Sequence, residues 1–150
     1  MMIAPLFATA AVMAQGAPPP TPKTSLFIRC HVKALAEPRT HEFNLVYFSQ
    51  PPEGAQRLNL RDPDAILPPA GRPLIADAWP TAILVNYESA APPKARLGAL
   101  LIEPVWMSQG KAEIIVDRIP PTADAPTRFT GECAYSEGET AEREFLELTK

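Results

Sequence analysis

The sequence predicts a mainly β protein: a small antiparallel β-barrel or sandwich of about six or seven strands with a short C-terminal helix. Three observations lead there. Apolar and polar residues alternate with a period of two along much of the chain, the mark of half-buried strands. Prolines number 19, well above the roughly 5% of an average protein, and they cut the chain into short pieces at Pro51-Pro52, Pro68-Pro69, Pro92-Pro93 and Pro120-Pro121. Proline fixes φ and carries no amide hydrogen, so such pairs sit between elements rather than inside them. Finally, the two cysteines, Cys30 and Cys133, stand 103 positions apart, one in the first alternating segment and one in the last.

The amino-terminal residues "MMIAPLFATAAVMAQGAPPPTPK" read as a leader. Residues 3–14 form an apolar stretch too short to span a bilayer, which takes about 20 residues as a helix. Val12 and Ala14 occupy the small-residue positions of a signal cleavage site between Ala14 and Gln15. No Lys or Arg precedes Lys23, so the basic start of such a signal is missing. Residues 1–14 are expected to be a secretory signal peptide and residues 15–24 a flexible Pro-rich lead-in. Residues 25–150 are expected to form one β-rich domain, exported to the periplasm or beyond, with no transmembrane segment in the mature chain.

From Ser25 the elements follow in order. "SLFIRCHVK" places Leu26, Ile28, Cys30 and Val32 on one face and Phe27, Arg29, His31 and Lys33 on the other. "HEFNLVYF" returns with Phe43, Leu45 and Tyr47 on one side, which makes a hairpin. Residues 49–80 are mostly loop in this reading. A short strand fits Gln56 to Leu60 and a helical turn fits Asp62-Pro63; the proline-rich stretch after it reads as loop, and Arg72 to Ala76 is either a short strand or part of a working loop. "TAILVNYE", "ARLGALLIEPVWM", "AEIIVDRI" and "TRFTGECAYS" supply the remaining strands. Pro104 ends or bulges the second of these, and Gly110 allows a tight turn after it. Ala141, Phe145 and Leu148 recur at helical spacing, and Ser136 with Glu139 fits a weak capping box.

Charge excludes one class of partner. The net charge is −3, and no basic stripe exists, so nucleic-acid binding has no electrostatic support. The acid excess is confined to residues 132–150, with six acids against two bases.

Candidate chemistry is sparse. In an exported protein Cys30 and Cys133 are expected to form a disulfide, because both fall on the apolar face of their strands. A metal site built from Cys30, Cys133, His31 and His41 is disfavoured: Cys30 and His31 are adjacent, so on a strand they point apart. A Cys30–His41 dyad fails once Cys30 is bonded. Asp62/Asp64 and Asp117/Glu132 are carboxylate pairs, better read as turn capping and exposed strand charge. Arg118 ends the inward row Ala112, Ile114, Val116, where it can pair with an acid at the rim. No GxSxG elbow and no glycine-rich phosphate loop is present, and nothing calls for a cofactor. Trp79 and Trp106 lie beside proline-broken segments, where Trp serves core packing or binding.

These features point to a non-enzymatic binding or interaction module of the cell envelope, taking a small apolar ligand or an envelope protein. The alternatives are a small hydrolase-like enzyme using the 62–79 loop region, and a structural or inhibitory module. An apolar cavity between strands would mark a ligand binder. Clustered polar groups with perturbed pKa values in a cleft would mark an enzyme, and an exposed apolar patch an interaction module.

Overall fold

A computed structural model describes residues 16, 23–77, 79–105, 107, 109–120 and 125–150. The leader, most of the lead-in and Trp106 lie outside these residues. The strands are β1 (Lys23–Ala34), β2 (Thr40–Gln50), β3 (Leu58–Arg61), β4 (Gly71–Asp77), β5 (Ile83–Ser89), β6 (Arg96–Pro104), β7 (Lys111–Arg118) and β8 (Thr127–Glu137); helix α1 (Gly138–Leu148) follows. All pair antiparallel in one sheet of order β3-β2-β1-β8-β7-β6-β5-β4. Every hydrogen-bonded neighbour is a neighbour in sequence, except that the first strand meets the last. The sheet curls into a nearly closed barrel whose remaining gap lies between β3 and β4.

Eight strands replace the expected six or seven. The difference comes from residues 49–80, where the short strands considered at Gln56 to Leu60 and at Arg72 to Ala76 are both present, as β3 and β4. Each is a poor sequence signal for a physical reason. β3 is only four residues long, and β4 carries Pro73. A proline is excluded from a central strand but tolerated at an edge, and β4 is an edge.

The period-two alternation becomes an inside and an outside. Leu26, Ile28, Cys30 and Val32 of β1, Val85 of β5, Ile102 of β6, Ile114 and Val116 of β7, and Phe129 of β8 are buried together in the barrel interior. Gly131 on β8 lets β1 come close, because a Cβ there would run into the His31 carbonyl. The outer face is mostly polar, but Leu74 and Leu84 stand exposed on it with Leu101 and Ile115 half-buried beside them, and a second apolar area lies beneath the helix. There Phe27, Val46 and Phe48 are buried under Ala141, Phe145 and Leu148, with the Phe48 and Phe145 rings edge to face at 5.4 Å. Phe27, which alternation assigns to the solvent side, is thus in a second small core.

The Ser136–Glu139 capping box does not form. Ser136 still belongs to β8, and its hydroxyl donates to Glu144 Oε2 at 2.7 Å, well beyond the Glu139 that a capping box reaches. Glu137 takes the N-cap position without a side-chain cap. Gly138 begins the helix at φ +60°, a backbone conformation that favours glycine.

Among the described residues no helix is long and apolar enough to cross a membrane.

Candidate functional site

The two sequence-predicted cysteines are brought together. Cys30 and Cys133 are direct cross-strand partners in the β1–β8 ladder and form a disulfide, with Cα atoms 4.0 Å apart. The short separation places the pair at the closer, non-hydrogen-bonded kind of position in an antiparallel ladder, below its usual spacing of about 4.5 Å. Both are buried, so neither offers a nucleophile or a metal ligand.

The histidines are separated from them and from each other. His31 stands exposed on the outer face, in line with Glu132 of β8 and Glu42 of β2. His41 sits nearly buried at the barrel end, its ring edge-on to Phe129 at 5.7 Å. Its Nε2 lies 3.4 Å from Glu37 Oε2 and its Nδ1 3.7 Å from Asp64 Oδ2. Among the described residues no group of three or more His, Cys, Asp or Glu side chains is placed to hold a metal.

The carboxylate pairs are engaged in structure. Asp62 accepts from the backbone N–H of Ile66 at 2.8 Å and of Leu67 at 2.6 Å. This tightens residues 62–67 into a plug whose Ile66 and Leu67 side chains are buried in the barrel interior. The expected helical turn is therefore a capped irregular turn, in which Ala65 adopts φ 52°. Asp64 accepts from Arg39 Nη2 at 2.7 Å and from the Glu42 N–H at 3.0 Å, tying the plug to the β1–β2 hairpin. Asp117 and Glu132 are not a pair. Asp117 takes a two-point contact from Arg128, at 2.8 Å on each oxygen, while Glu132 lies opposite Glu113. The Arg128 hydrogen bonds hold the Asp117 carboxyl below its ordinary range.

Arg118 does end the inward row, but it finds a ring rather than an acid. Its guanidinium lies over Phe129, 5.5 Å from the ring centroid. Trp79 packs edge-on against Tyr135 at 4.5 Å and donates from Nε1 to Glu137 Oε1 at 2.8 Å, so it closes the other barrel end.

The feature that alternation alone does not show is the seam. Between β3 and β4 lies a half-open cleft of about 480 Å³. Leu58 and Leu60 form one wall, Gly71 and Pro73 the other, with Leu67 and Tyr87 at the base. Tyr87 reaches in from β5, and its hydroxyl donates to the Pro68 carbonyl at 2.7 Å. Its ring occupies the space where a Cβ on residue 71 would stand, which explains glycine there. Burial pushes the Tyr87 phenol above its ordinary pKa, and the nearby Asp62 carboxylate adds to the effect; a backbone hydrogen bond at Gly71 opposes it.

The register fixes which backbone groups face the cleft. Phe48 N–H donates to Arg57 C=O at 2.8 Å, so alternate pairs of the β2–β3 ladder are hydrogen-bonded from there. Leu58 and Leu60 fall between those pairs, and their N–H and C=O groups point away from β2, into the seam. On the other wall, Ala90 N–H donates to Ala70 C=O at 3.0 Å, which by the same count turns Gly71, Pro73 and Ile75 outward. Gly71 N–H is taken by Pro68 C=O at 3.2 Å, and Pro73 has none. Thus β3 presents two donors and two acceptors, whereas β4 presents acceptors and a single donor at Ile75. The two edges are mismatched, and the barrel stays open between them. Pro73 in "RPLIAD" is the one sequence signal that marks such an edge.

Compared with protein family models, characterised proteins and solved structures, the chain matches none.

Proposed function

We propose that the chain is an exported, non-enzymatic binding module of the cell envelope whose working surface is the β3–β4 seam. The observation that carries the reading is the cleft of about 480 Å³ between two unpaired strand edges, lined by Leu58, Leu60, Leu67 and Pro73. It offers an apolar surface with free backbone donors and acceptors, the combination that binding sites use to hold a ligand and fix its orientation. Export is supported by the disulfide, which oxidising compartments maintain, and by the leader-like residues 1–14.

The hydrolase reading of residues 62–79 draws less support. Asp62 and Asp64 already hold backbone and guanidinium groups, and the raised Tyr87 pKa follows from burial beside a structural hydrogen bond.

The test is to isolate the mature protein from the envelope under non-reducing conditions. Native mass spectrometry then reads the bound molecule, and amide NMR reads where it sits. The expected result is a mature amino terminus at Gln15, no free thiol before reduction, and ligand-dependent shifts at Leu58, Leu60 and Tyr87. Two free thiols would count against export, and shifts confined to other surfaces would move the binding site elsewhere.

A further inference from the structure

Within that binding reading, on which this inference rests, the seam's own chemistry selects its occupant. β3 and the residue before it read Arg57-Leu58-Asn59-Leu60-Arg61. Leu58 lies in the barrel core, and Leu60 shares its inward face. Arg57, Asn59 and Arg61 therefore stand on the outer face. Arg72 of β4 pairs with Glu88 in register and occupies the outer face across the seam. Among the described side chains, Arg57, Arg61 and Arg72 form no ion pair with a carboxylate. One guanidinium nitrogen of Arg61, Nη1, is buried with no hydrogen-bond partner. Arg57 and Arg72 stand exposed at this edge, Arg72 across from Glu88, and Arg61 lines a neighbouring hollow with Glu42 and Asp62, so three guanidiniums gather at the edge of a chain whose net charge is −3.

We propose that the seam takes an extended segment of a partner protein as an added strand on β3, apolar on its inward side chains and acidic on its outward ones. The Leu58 and Leu60 backbone groups supply two donors and two acceptors for the ladder, as in strand addition to any exposed sheet edge. Inward side chains of the segment fill the cleft over Leu58, Leu60 and Leu67. Its outward carboxylates stand directly across from Arg57 and Arg61, the position where opposite charges on adjacent strands attract. Pairing runs on the β3 side because Pro73 and the occupied Gly71 amide leave β4 nearly without donors. The segment bridges the two edges without needing a full ladder to β4.

The experiment titrates the mature, disulfide-intact protein with short labelled peptides, reading affinity by fluorescence anisotropy and location by amide NMR. One peptide alternates Glu with Val, a second alternates Lys with Val, and two further Glu/Val peptides are N-methylated on one strand edge or the other. Expected is a preference of about tenfold for the Glu/Val peptide over the Lys/Val peptide, from the sign change at two cross-strand pairs. Added salt narrows that preference. Arg57→Glu, at an exposed position, abolishes it, the remaining Arg61 pair offsetting the reversed one, while leaving the β1–β8 ladder signals in place. N-methylation on one edge abolishes binding and on the other spares most of it.

Equal binding of the two charge patterns, or a preference for Lys/Val, overturns the acidic partner while Leu58 and Leu60 shifts keep the seam as the binding surface. Equal loss from both N-methylated peptides overturns strand addition on β3 alone. Absence of any shift at Leu58 and Leu60 with every peptide overturns the seam reading itself.

Discussion

Reducing the Cys30–Cys133 disulfide is predicted to cost about a third or more of the stability of a domain of this size. The bridge spans 103 positions of sequence, so in the unfolded chain it closes a very large loop. Chain-entropy theory gives about 4.7 kcal/mol for a loop of this length at 25 °C. Native proteins are stable by only about 5–15 kcal/mol, so the loss is a third or more of the total. In a domain between the 100- and 150-residue classes this lowers Tm by roughly 15–20 °C. The folded state hardly changes, because β1 and β8 are already paired from Leu26↔Glu137 to Ala34↔Phe129. The effect therefore acts on the unfolded ensemble, which expands and exposes more surface once the loop opens. The assay is urea unfolding followed by circular dichroism, on oxidised protein, reduced protein and the Cys30→Ala/Cys133→Ala pair. The reduced protein should show a lower midpoint together with a steeper dependence on urea. A midpoint unchanged by reduction would refute the reasoning. So would a large loss with no change in slope, since that places the effect in the native state.

Three further perturbations bear on named contacts. Tyr87→Phe removes one of the two hydrogen bonds that the Pro68 carbonyl accepts, the Gly71 N–H remaining, and should cost about 0.5–1.5 kcal/mol in the same urea assay. It should also flatten the alkaline limb: a phenol raised on folding contributes stability that is present below its ordinary pKa of 10.0 and is lost as pH climbs through the raised value. Asp117 behaves in the opposite sense. Its carboxyl is lowered by Arg128, so its contribution is present above the ordinary value of 3.8 and disappears as pH falls through the lowered one. Arg128→Gln should remove that part of the acid limb from a plot of urea midpoint against pH. Glu113→Gln should stabilise, because Glu103, Glu113 and Glu132 lie directly opposite one another on adjacent strands. Exposure keeps the gain toward the low end of the roughly 0.2–1 kcal/mol range for cross-strand charge, and it should shrink in high salt.

The strands that form the walls of the barrel were legible because their two faces differ. Alternation in "SLFIRCHVK" and "AEIIVDRI" separates inside from outside without reference to the rest of the chain. It fails where a second layer covers the outside. Phe27, Val46 and Phe48 look misplaced until α1 is seen to lie over them. It also fails where a strand is too short or too irregular to show a period, as in β3 and β4. The plug was unreadable for a different reason. Ile66 and Leu67 are buried by a turn that Asp62 holds through backbone amides, and that arrangement leaves no periodic trace. The candidate site combines both kinds of segment, so the sequence shows its parts, "RLNLR" and "RPLIAD", without showing that they face each other.

The position of the seam follows from how the chain is joined. The first and last strands meet in the interior of the sheet order, β3-β2-β1-β8-β7-β6-β5-β4, and the disulfide fixes them there. Closure must then fail somewhere in mid-chain, and it fails at the connection with the weakest pairing partners: a four-residue strand against one that carries a proline. The gap lies three strands from the bridge on one side and five on the other. Movement of β3 relative to β4 is thereby separated from the chain ends. Asp62 holds the connecting plug together and Asp64 pins it to the β1–β2 hairpin, so any such movement is greatest at the far end of the seam, beyond Leu58. A ligand that pairs with β3 would enter there. Asp62→Ala, which releases the Ile66 and Leu67 amides, should let the plug loosen as well and raise hydrogen exchange at both. If exchange at Ile66 and Leu67 stays as slow as in the parent protein, the plug is held by burial of its side chains rather than by the Asp62 cap.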